Sequence, residues 1–233
     1  MPRARTPLVR MTGKVQLIAM RKFATLASSL LLGACTVFGV RSGTPQPGFT
    51  VIGRIGALEL RQYGPRLAAE TTVAGGEIDA RSAGFRRLAA YIFGANTKAG
   101  GGSSTIAMTA PVEQDRAGGG TKVAMTAPVA QEAASSGWTI RFFLPAGLTL
   151  ATAPRPRDRT IHLVEVPAAT MAVLRFSGVP GAHSVAVHSQ RLLATLAGSP
   201  WQPHGKVVAW FYDPPWTLPW LRRNEVAVTV VRR

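Results

Sequence analysis

The chain has 233 residues, of which 46% are hydrophobic, and a formal net charge of +16. This apolar content is enough for a substantial core, so the chain is not disordered overall. Beyond residue 35 the basic residues are scattered rather than clustered, apart from Arg86-Arg87, Arg155 to Arg159, Arg222-Arg223 and Arg232-Arg233, and we therefore expect no nucleic-acid partner.

Residues 1–35 form a predicted lipoprotein-type signal segment. Six of the 27 Lys and Arg residues precede residue 36, no acidic residue does, and they are followed by the apolar run from Phe23 to Cys35. Leu32-Gly-Ala-Cys35 resembles the bacterial lipobox, whose Cys is lipidated. Cys35 is the only cysteine in the chain, which excludes an intramolecular disulfide. The alternatives are an uncleaved signal anchor and a buried free thiol.

The segment after Cys35 predicts a location at the cell envelope. Thr36 stands where Asp would favour the inner membrane, so resemblance to Gram-negative lipoproteins implies a lipid anchor in the outer membrane, facing the periplasm. Residues 36–48 are rich in turn formers and predict a tether, and 49–233 form the folded domain. We expect a monomer. The translation start stays open between Met1, Met11 and Met20.

The first half of the domain predicts two strands and a helix. Alternating apolar residues predict strands over 57–63 and 66–74. Apolar residues then recur at spacings of three, four and seven, which predicts an amphipathic helix over 77–93 that ends at Gly94.

One phrase occurs twice after this helix. Ile106-Ala-Met-Thr-Ala-Pro-Val112 is repeated as Val123-Ala-Met-Thr-Ala-Pro-Val129, with three consecutive glycines between the copies. We expect a β-hairpin or two neighbouring strands. Met108 and Met125 occupy equivalent positions, where they either line a pocket or belong to the core.

The second half repeats the order of the first. A strand predicted over 138–144 completes the first half. In the second half, strands are predicted over 161–166, 170–176, 206–212 and 225–231, and a helix over 183–196. The order of strands, helix and strands therefore occurs twice. This weak internal repeat predicts an α+β fold, with an antiparallel sheet curled into a barrel and two helices packed against it. Each groove between a helix and the sheet is a candidate ligand site.

A proline-rich segment separates the last two predicted strands. Residues 212–226 contain three prolines and two tryptophans, so the segment is stiff and apolar. It either covers a pocket as a fixed flap or plugs one end of the barrel, and we favour the plug.

The chain resembles the SOUL heme-binding protein family. Four motifs carry the resemblance: Leu58-Glu-Leu-Arg-Gln-Tyr-Gly-Pro65, the first copy of the repeated phrase, Trp138-Thr-Ile-Arg-Phe-Phe-Leu-Pro145, and Tyr212-Asp-Pro-Pro-Trp-Thr-Leu-Pro-Trp-Leu-Arg-Arg-Asn-Glu-Val226. The resemblance implies a distorted eight-stranded antiparallel β-barrel flanked by two long helices in a pseudo-twofold arrangement. It further implies noncovalent binding of heme or another tetrapyrrole, for buffering, scavenging or transfer rather than catalysis.

The resemblance also implies a site. Members proposed to ligate iron carry His at the position of Gln62, and an amide is a poor ligand for heme iron. Other members hold the porphyrin by apolar contact with the first helix and by basic residues near its propionates. The corresponding residues here are Ile78, Phe85, Arg86, Arg87, Leu88, Ile92 and Lys98, with Gln62, Met108 and Met125 lining the pocket.

The four histidines offer few alternative ligands for a heme iron. His188 falls on the apolar side of the second helix, where it is a core residue or a possible iron ligand, and His183 is placed at that helix's N-terminus. His162 and His204 are expected in solvent.

No catalytic constellation is evident, so we expect no enzyme. Glu59 and Glu165 lie in predicted strands and could face the interior. A buried Glu would suit a second function, the binding of cationic amphipathic ligands at the envelope. A third is a membrane-surface interaction protein without heme.

Overall fold

The computed structural model describes residues 44–117 and 137–233. Its strands are β1 (Phe49–Ile55), β2 (Leu58–Tyr63), β3 (Arg66–Ala74), β4 (Asn96–Thr97), β5 (Val112–Arg116), β6 (Gly137–Phe143), β7 (Arg155–Pro156), β8 (Ile161–Val166), β9 (Ala169–Phe176), β10 (Trp201–Phe211) and β11 (Asn224–Arg232). Its helices are α1 (Glu77–Ile92), α2 (Ala182–Ala197) and a short 3-10 helix (Pro219–Leu221).

Nine of these strands form one antiparallel sheet in the order β1-β2-β9-β11-β10-β5-β6-β3-β8, and β4 pairs with β7 separately. Among the described strands no ladder joins β1 to β8, so the sheet is open and the predicted closed barrel is not confirmed. The sheet contains two runs of four strands whose members correspond in order. One run is β5-β6-β3-β8 and the other is β10-β11-β9-β2. An internal repeat would produce this arrangement, and the repeat itself stays a prediction.

Helix α1 confirms the predicted helix and packs on β3 and β6. Leu88 and Tyr91 are fully buried against Ile140 of β6. At Gly84 the helix approaches the sheet so closely that an added Cβ would lie 2.8 Å from Cβ of Ile140. Gly94, at a φ of +123°, follows the helix where the sequence predicts its end, since glycine adopts this conformation without strain.

Helix α2 packs on the other half of the sheet. Leu192 and Leu196 are fully buried and contact a cluster that includes Leu58, Leu174 and Val228. Its bounds confirm the predicted helix over 183–196 to within one residue at each end. Both helices lie on one face, because Gln114 beneath α1 pairs directly with Ala209 beneath α2.

The opposite face carries a smaller apolar cluster and most of the buried charge. Tyr63, Met171, Val173, Trp210 and Ala227 pack together there. Successive side chains of β2 point alternately to this face and to the helix-covered face, because the side chains of a strand repeat every two residues.

The repeated phrase behaves differently from the prediction. Its first copy is irregular backbone up to Pro111, and β5 begins only at Val112. Strand β5 pairs with β6 and β10, and the second copy lies outside the described residues. The sequence predicts no strand over 112–116 because Val-Glu-Gln-Asp-Arg has no apolar alternation, yet Glu113 and Gln114 are buried.

The proline-rich segment does not place its tryptophans in an interior. The side chains of Trp216 and Trp220 are 62% and 68% exposed. An indole that plugs a barrel would be buried, so the favoured interpretation is wrong for these two residues. In the described part of the chain, no helix is both long enough and apolar enough to cross a membrane.

Candidate ligand-binding groove

A groove of about 710 Å³ lies between the N-terminal ends of the two helices. Glu77 of α1 borders one side, and the other side is bordered by Ala182, His183, Val185 and Ala186 of α2. Strands β5 and β10 form the floor, where only three residue pairs join them. Alanines at 182, 186 and 209 leave space that larger side chains would fill.

The groove combines apolar walls with charged groups. Val185, Val207 and the ring of Trp138 supply apolar surface, and the guanidinium of Arg116 lies 5.0 Å from the centre of that ring. Nζ of Lys206 donates to the backbone carbonyl of Arg116 at 2.9 Å, which keeps two cationic side chains at the same end. A ligand with an apolar body and anionic substituents would find complementary groups here.

The groove also contains acidic and amide groups. Asp115 lines it, and burial raises the pKa of its carboxyl to about 6 although the charge of Arg141 acts in the opposite direction. Gln114 is 2% exposed, and its Nε2 donates to the carbonyl of Glu77 at 2.8 Å. Its Oε1 is buried and has no hydrogen-bond partner among the described residues.

One histidine lines the groove. His183 is exposed in the first turn of α2, as the sequence predicts. His188 is half-buried instead: its ring stacks on Phe176 with centres 4.0 Å apart, and Nδ1 lies 2.7 Å from the carbonyl of Ser184. These contacts give His188 a structural role. His162 and His204 are exposed, which confirms that prediction.

Residues 44–117 and 137–233 contain no group of three or more His, Cys, Asp and Glu residues that could hold a metal ion. The volume of the groove is in the range of small-molecule sites, which is roughly 300 to 1,000 Å³. With an imidazole in one wall (His183) and a guanidinium at one end (Arg116), the groove offers group types that could hold a heme.

The predicted residues of α1 divide between the core and the surface. Leu88 and Ile92 are buried in the core cluster. Ile78 and Phe85 are 56% and 38% exposed and, seven residues apart, share one side of the helix. Arg86 follows Phe85 and is exposed. The structure therefore leaves Ile78, Phe85 and Arg86 accessible together.

The other predicted residues are dispersed. The charge of Arg87 acts on the carboxylate of Asp158, in the loop before β8, and Lys98 is exposed just after β4. Gln62 is exposed on β2, and Met108 is 36% exposed. Met125 and Cys35 lie outside the described residues.

The two singled-out carboxylates lie apart. Glu165 is exposed, so the expectation of an interior position is wrong for it. Glu59 is 29% exposed and pairs with Arg61 at 2.8 Å and with Arg54 at 3.2 Å.

A buried ionic network that the sequence did not predict covers the face opposite the helices. Glu225 binds the side chains of Arg61, Arg223 and Tyr212. Farther along the sheet, Glu113 accepts from Nε1 of Trp210 at 2.8 Å and from Nη1 of Arg141 at 2.6 Å. These groups satisfy one another, so we assign them to stability.

The fold resembles two solved structures. One is the C-terminal domain of EcmrR, at 10% identity and a TM-score of 0.50, with 76% of this chain and 98% of that chain covered. Another is an uncharacterized conserved protein from Listeria innocua, at 12% identity and a TM-score of 0.50, with 75% and 92% covered. At such low identity the likeness shows the fold alone. No curated protein matches the sequence.

The family comparison is more informative. The family described as SOUL heme-binding protein matches residues 44–229, which include both helices and nearly all of the nine-stranded sheet. This family is one of binding proteins rather than enzymes. The match covers most of the chain, and the chain therefore belongs to the SOUL heme-binding protein family.

Proposed function

We propose that this protein binds heme or a related tetrapyrrole noncovalently at the cell envelope, where it buffers, scavenges or transfers its ligand. The observation that carries this proposal is the family match over residues 44–229. A binding role needs a preformed site rather than a set of reacting groups, and the groove between the helices is such a site.

The groove is the proposed position of the tetrapyrrole ring. Val185, Ala186 and Val207 would contact the apolar ring, and Arg116 with Lys206 would pair with the propionates. His183 would ligate the iron, since its imidazole lines the groove. Bound heme would supply a Lewis-acidic iron, to which the imidazole of His183 would coordinate.

The exposed side of α1 is the alternative surface for the same ligand. Ile78 and Phe85 offer apolar contact and Arg86 offers a cation, as family resemblance implies. This surface is open, whereas the groove surrounds a ligand on several sides. Enclosure favours the groove, because more of the ring leaves water there.

Hemin titration followed at the Soret band tests the function, with an unrelated basic protein as control. We expect saturable binding at about one hemin per chain, which the control does not show. Ala186→Trp should fill the groove and weaken binding at least about tenfold, because a tenfold loss needs only about 1.4 kcal/mol. The exposed Val187 does not line the groove, so Val187→Trp should bind normally.

Three further variants assign the surface. His183→Ala should shift the Soret band and His162→Ala should not. If Phe85→Ser weakens binding and Ala186→Trp does not, the ring lies on α1. A response no larger than that of the control protein would contradict heme binding altogether.

A second candidate ligand is a cationic amphiphile. The nearby carboxylates of Glu77 and Asp115 favour it, because both line the groove. Binding of a fluorescent quaternary ammonium dye would test this function. The dye should lose affinity in Asp115→Asn, whereas hemin should not.

The envelope location is part of the proposal. Lipidation at Cys35 would anchor the chain in the outer membrane facing the periplasm, with residues 36–48 as the tether, and the domain would act as a monomer. A membrane-surface interaction protein without heme is the third possibility, and the hemin titration separates it from the first.

A further inference from the structure

An exposed apolar patch lies at the end of the sheet where β10 leads into β11. It consists of Val179, Trp216 and Trp220, whose exposed fractions are 62%, 62% and 68%. Burying one large apolar side chain stabilises a protein by roughly 1.5 to 3 kcal/mol, so three such side chains left in solvent mark a binding surface. We call these residues the tryptophan patch.

The loop that carries the two indoles is held rigidly. Nε of Arg222 donates to the carbonyl of Thr217 at 2.7 Å, and its Nη2 donates to the carbonyl of Pro215. The backbone N–H of Arg223 donates to the carboxylate of Asp213 at 2.6 Å. Thr217 is 1% exposed and fixes the middle of the loop in the protein.

The patch spans two segments that hydrogen bonds hold together. The N–H of Gly178 donates to the carbonyl of Pro219 at 2.9 Å, directly beside Trp220. Nδ2 of Asn224 donates to the carbonyl of Gly178 at 3.0 Å. Val179 therefore follows a residue fixed against the 3-10 helix. Because this surface is ordered in advance, binding through it costs little conformational entropy.

Charge indicates the partner. Arg222 lies in the loop itself, whereas the side chain of Arg223 is 15% exposed and its guanidinium pairs with the buried carboxylate of Glu225. The one acidic residue of the loop, Asp213, accepts from the N–H of Arg223. Residues 36–233, which follow the predicted signal segment, contain 21 Lys and Arg and 11 Asp and Glu and so carry a net charge of +10. Tryptophan is enriched at membrane interfaces, where its ring enters the apolar boundary and its N–H stays among polar groups, and arginine is attracted to anionic lipid.

We propose that the tryptophan patch docks on the surface of an anionic lipid bilayer. The two indoles and Val179 enter the interfacial layer, while the positive charge of Arg222 attracts the anionic headgroups. Docking would hold the groove at a fixed orientation to the membrane. This inference does not depend on the proposed ligand, because no residue of the patch lines the groove.

Tryptophan fluorescence provides a direct test on the full-length chain. All five tryptophans lie at positions 138, 201, 210, 216 and 220, so the N-terminal segment contributes no signal even where it binds vesicles. The probe is vesicles of phosphatidylcholine with about one third phosphatidylglycerol, carrying brominated acyl chains. We expect bromolipid quenching in the wild type, and little quenching of the tryptophans that remain in Trp216→Phe/Trp220→Phe.

Binding strength provides a second readout. Partitioning is measured on residues 36–233, so that the basic and apolar N-terminal segment does not itself hold the chain on the vesicles. Trp216→Ser/Trp220→Ser should lower this partitioning at least about tenfold, since each large apolar side chain contributes roughly that factor. The matched control is Val51→Ser/Ile52→Ser, which removes two apolar residues that are 43% and 46% exposed elsewhere on the domain. The control should partition like the wild type, and added salt should weaken binding. Circular dichroism confirms that each variant is folded.

Three outcomes would overturn the proposal. The first is equal quenching in the wild type and in the phenylalanine variant. The second is equal loss of binding in the serine variant and in its control. The third is a wild-type dimer in sedimentation that the serine variant converts to monomer, because a second copy would then be the partner. Hemin titration of the serine variant shows separately whether ligand binding is intact.

Discussion

Arg61 and Glu225 form a buried ion pair across the intervening strand β9. Nη1 of Arg61 lies 2.8 Å from Oε2 of Glu225, and Nη2 lies 3.0 Å from Oε1. Glu225 is fully buried and Arg61 is 3% exposed. Burial alone would raise the pKa of Glu225, but the hydrogen bonds and charge of Arg61, with the charge of Arg223, outweigh it and lower that pKa.

Replacing Glu225 should destabilise the fold strongly. Glu225→Gln leaves the guanidinium of Arg61 buried without its full countercharge, which costs about 3 to 5 kcal/mol of unfolding free energy. Arg54→Gln breaks only the solvent-exposed pair with Glu59 and should cost less than about 1 kcal/mol. Urea unfolding at neutral pH measures both, and equal stabilities would contradict a structural role for the buried pair.

The same variant should change the response to acid. The pKa of Glu225 is lower in the folded than in the unfolded chain. The stability that its carboxylate contributes is therefore complete above the pKa of the unfolded chain, and it is lost as the pH falls through the pKa of the folded chain. Glu225→Gln should therefore lose less stability than the wild type on acidification from neutral pH. Unfolding curves at several acidic pH values would show this, and parallel losses would contradict it.

Asp115 should act in the opposite direction. Burial raises its pKa to about 6, so the folded chain holds this proton more tightly than the unfolded chain. The stabilising effect of the bound proton is lost as the pH rises toward and through 6. In the wild type, we expect this loss to lower the free energy of unfolding by about 1 to 3 kcal/mol between pH 4.5 and 7.5. Asp115→Asn should not show this decrease.

Asp158 provides the control for that measurement. It is exposed, and hydrogen bonds from Thr160 lower its pKa, so it stays ionised across this range. Asp158→Asn should leave the pH dependence between 4.5 and 7.5 unchanged. If the unfolding free energy of Asp115→Asn falls with pH as steeply as that of the wild type, the carboxyl of Asp115 is not buried in solution.

Gly84 should resist substitution although it lies inside a helix. Alanine normally stabilises such a position by about 1 kcal/mol. Here its Cβ would lie 2.8 Å from Cβ of Ile140, so overpacking should give a net loss of about 1 to 3 kcal/mol. Adding Ile140→Ala should restore part of that loss. Thermal unfolding compares the two single variants with the double variant, and full additivity would rule out the close approach.

Cys35 should carry the lipid anchor. Cells labelled with a fatty acid should incorporate the label into the wild-type chain and not into Cys35→Ser, because the thiol is the attachment point. Ser29→Ala, in the same apolar run, should be labelled normally. Label that persists in Cys35→Ser, or is absent from the wild type, would contradict the lipobox interpretation.

The sequence was sufficient for the elements with a regular apolar pattern. Helices α1 and α2 and strands β2, β3, β6, β8, β9 and β11 lie close to their predicted bounds, since spacing along the chain determines which side of each element is apolar. It was not sufficient for β5. There Trp210 and Arg141 bind the carboxylate of Glu113, and partners this distant in sequence leave no periodic signal.

The candidate site depended on tertiary structure almost entirely. The sequence identified the apolar residues of α1, but the same pattern fits a side that packs in the core and a side that meets a ligand. Packing on β6 buries Leu88 and Ile92 and leaves Ile78 and Phe85 exposed.

The groove arises where Glu77, Gln114, His183 and Lys206 meet, and each comes from a different element. By itself the sequence determined the family, the two helices and most strands, because local periodicity and motif order record them. Only the tertiary structure decided which faces pack together, and so which residues are left for a ligand or a membrane.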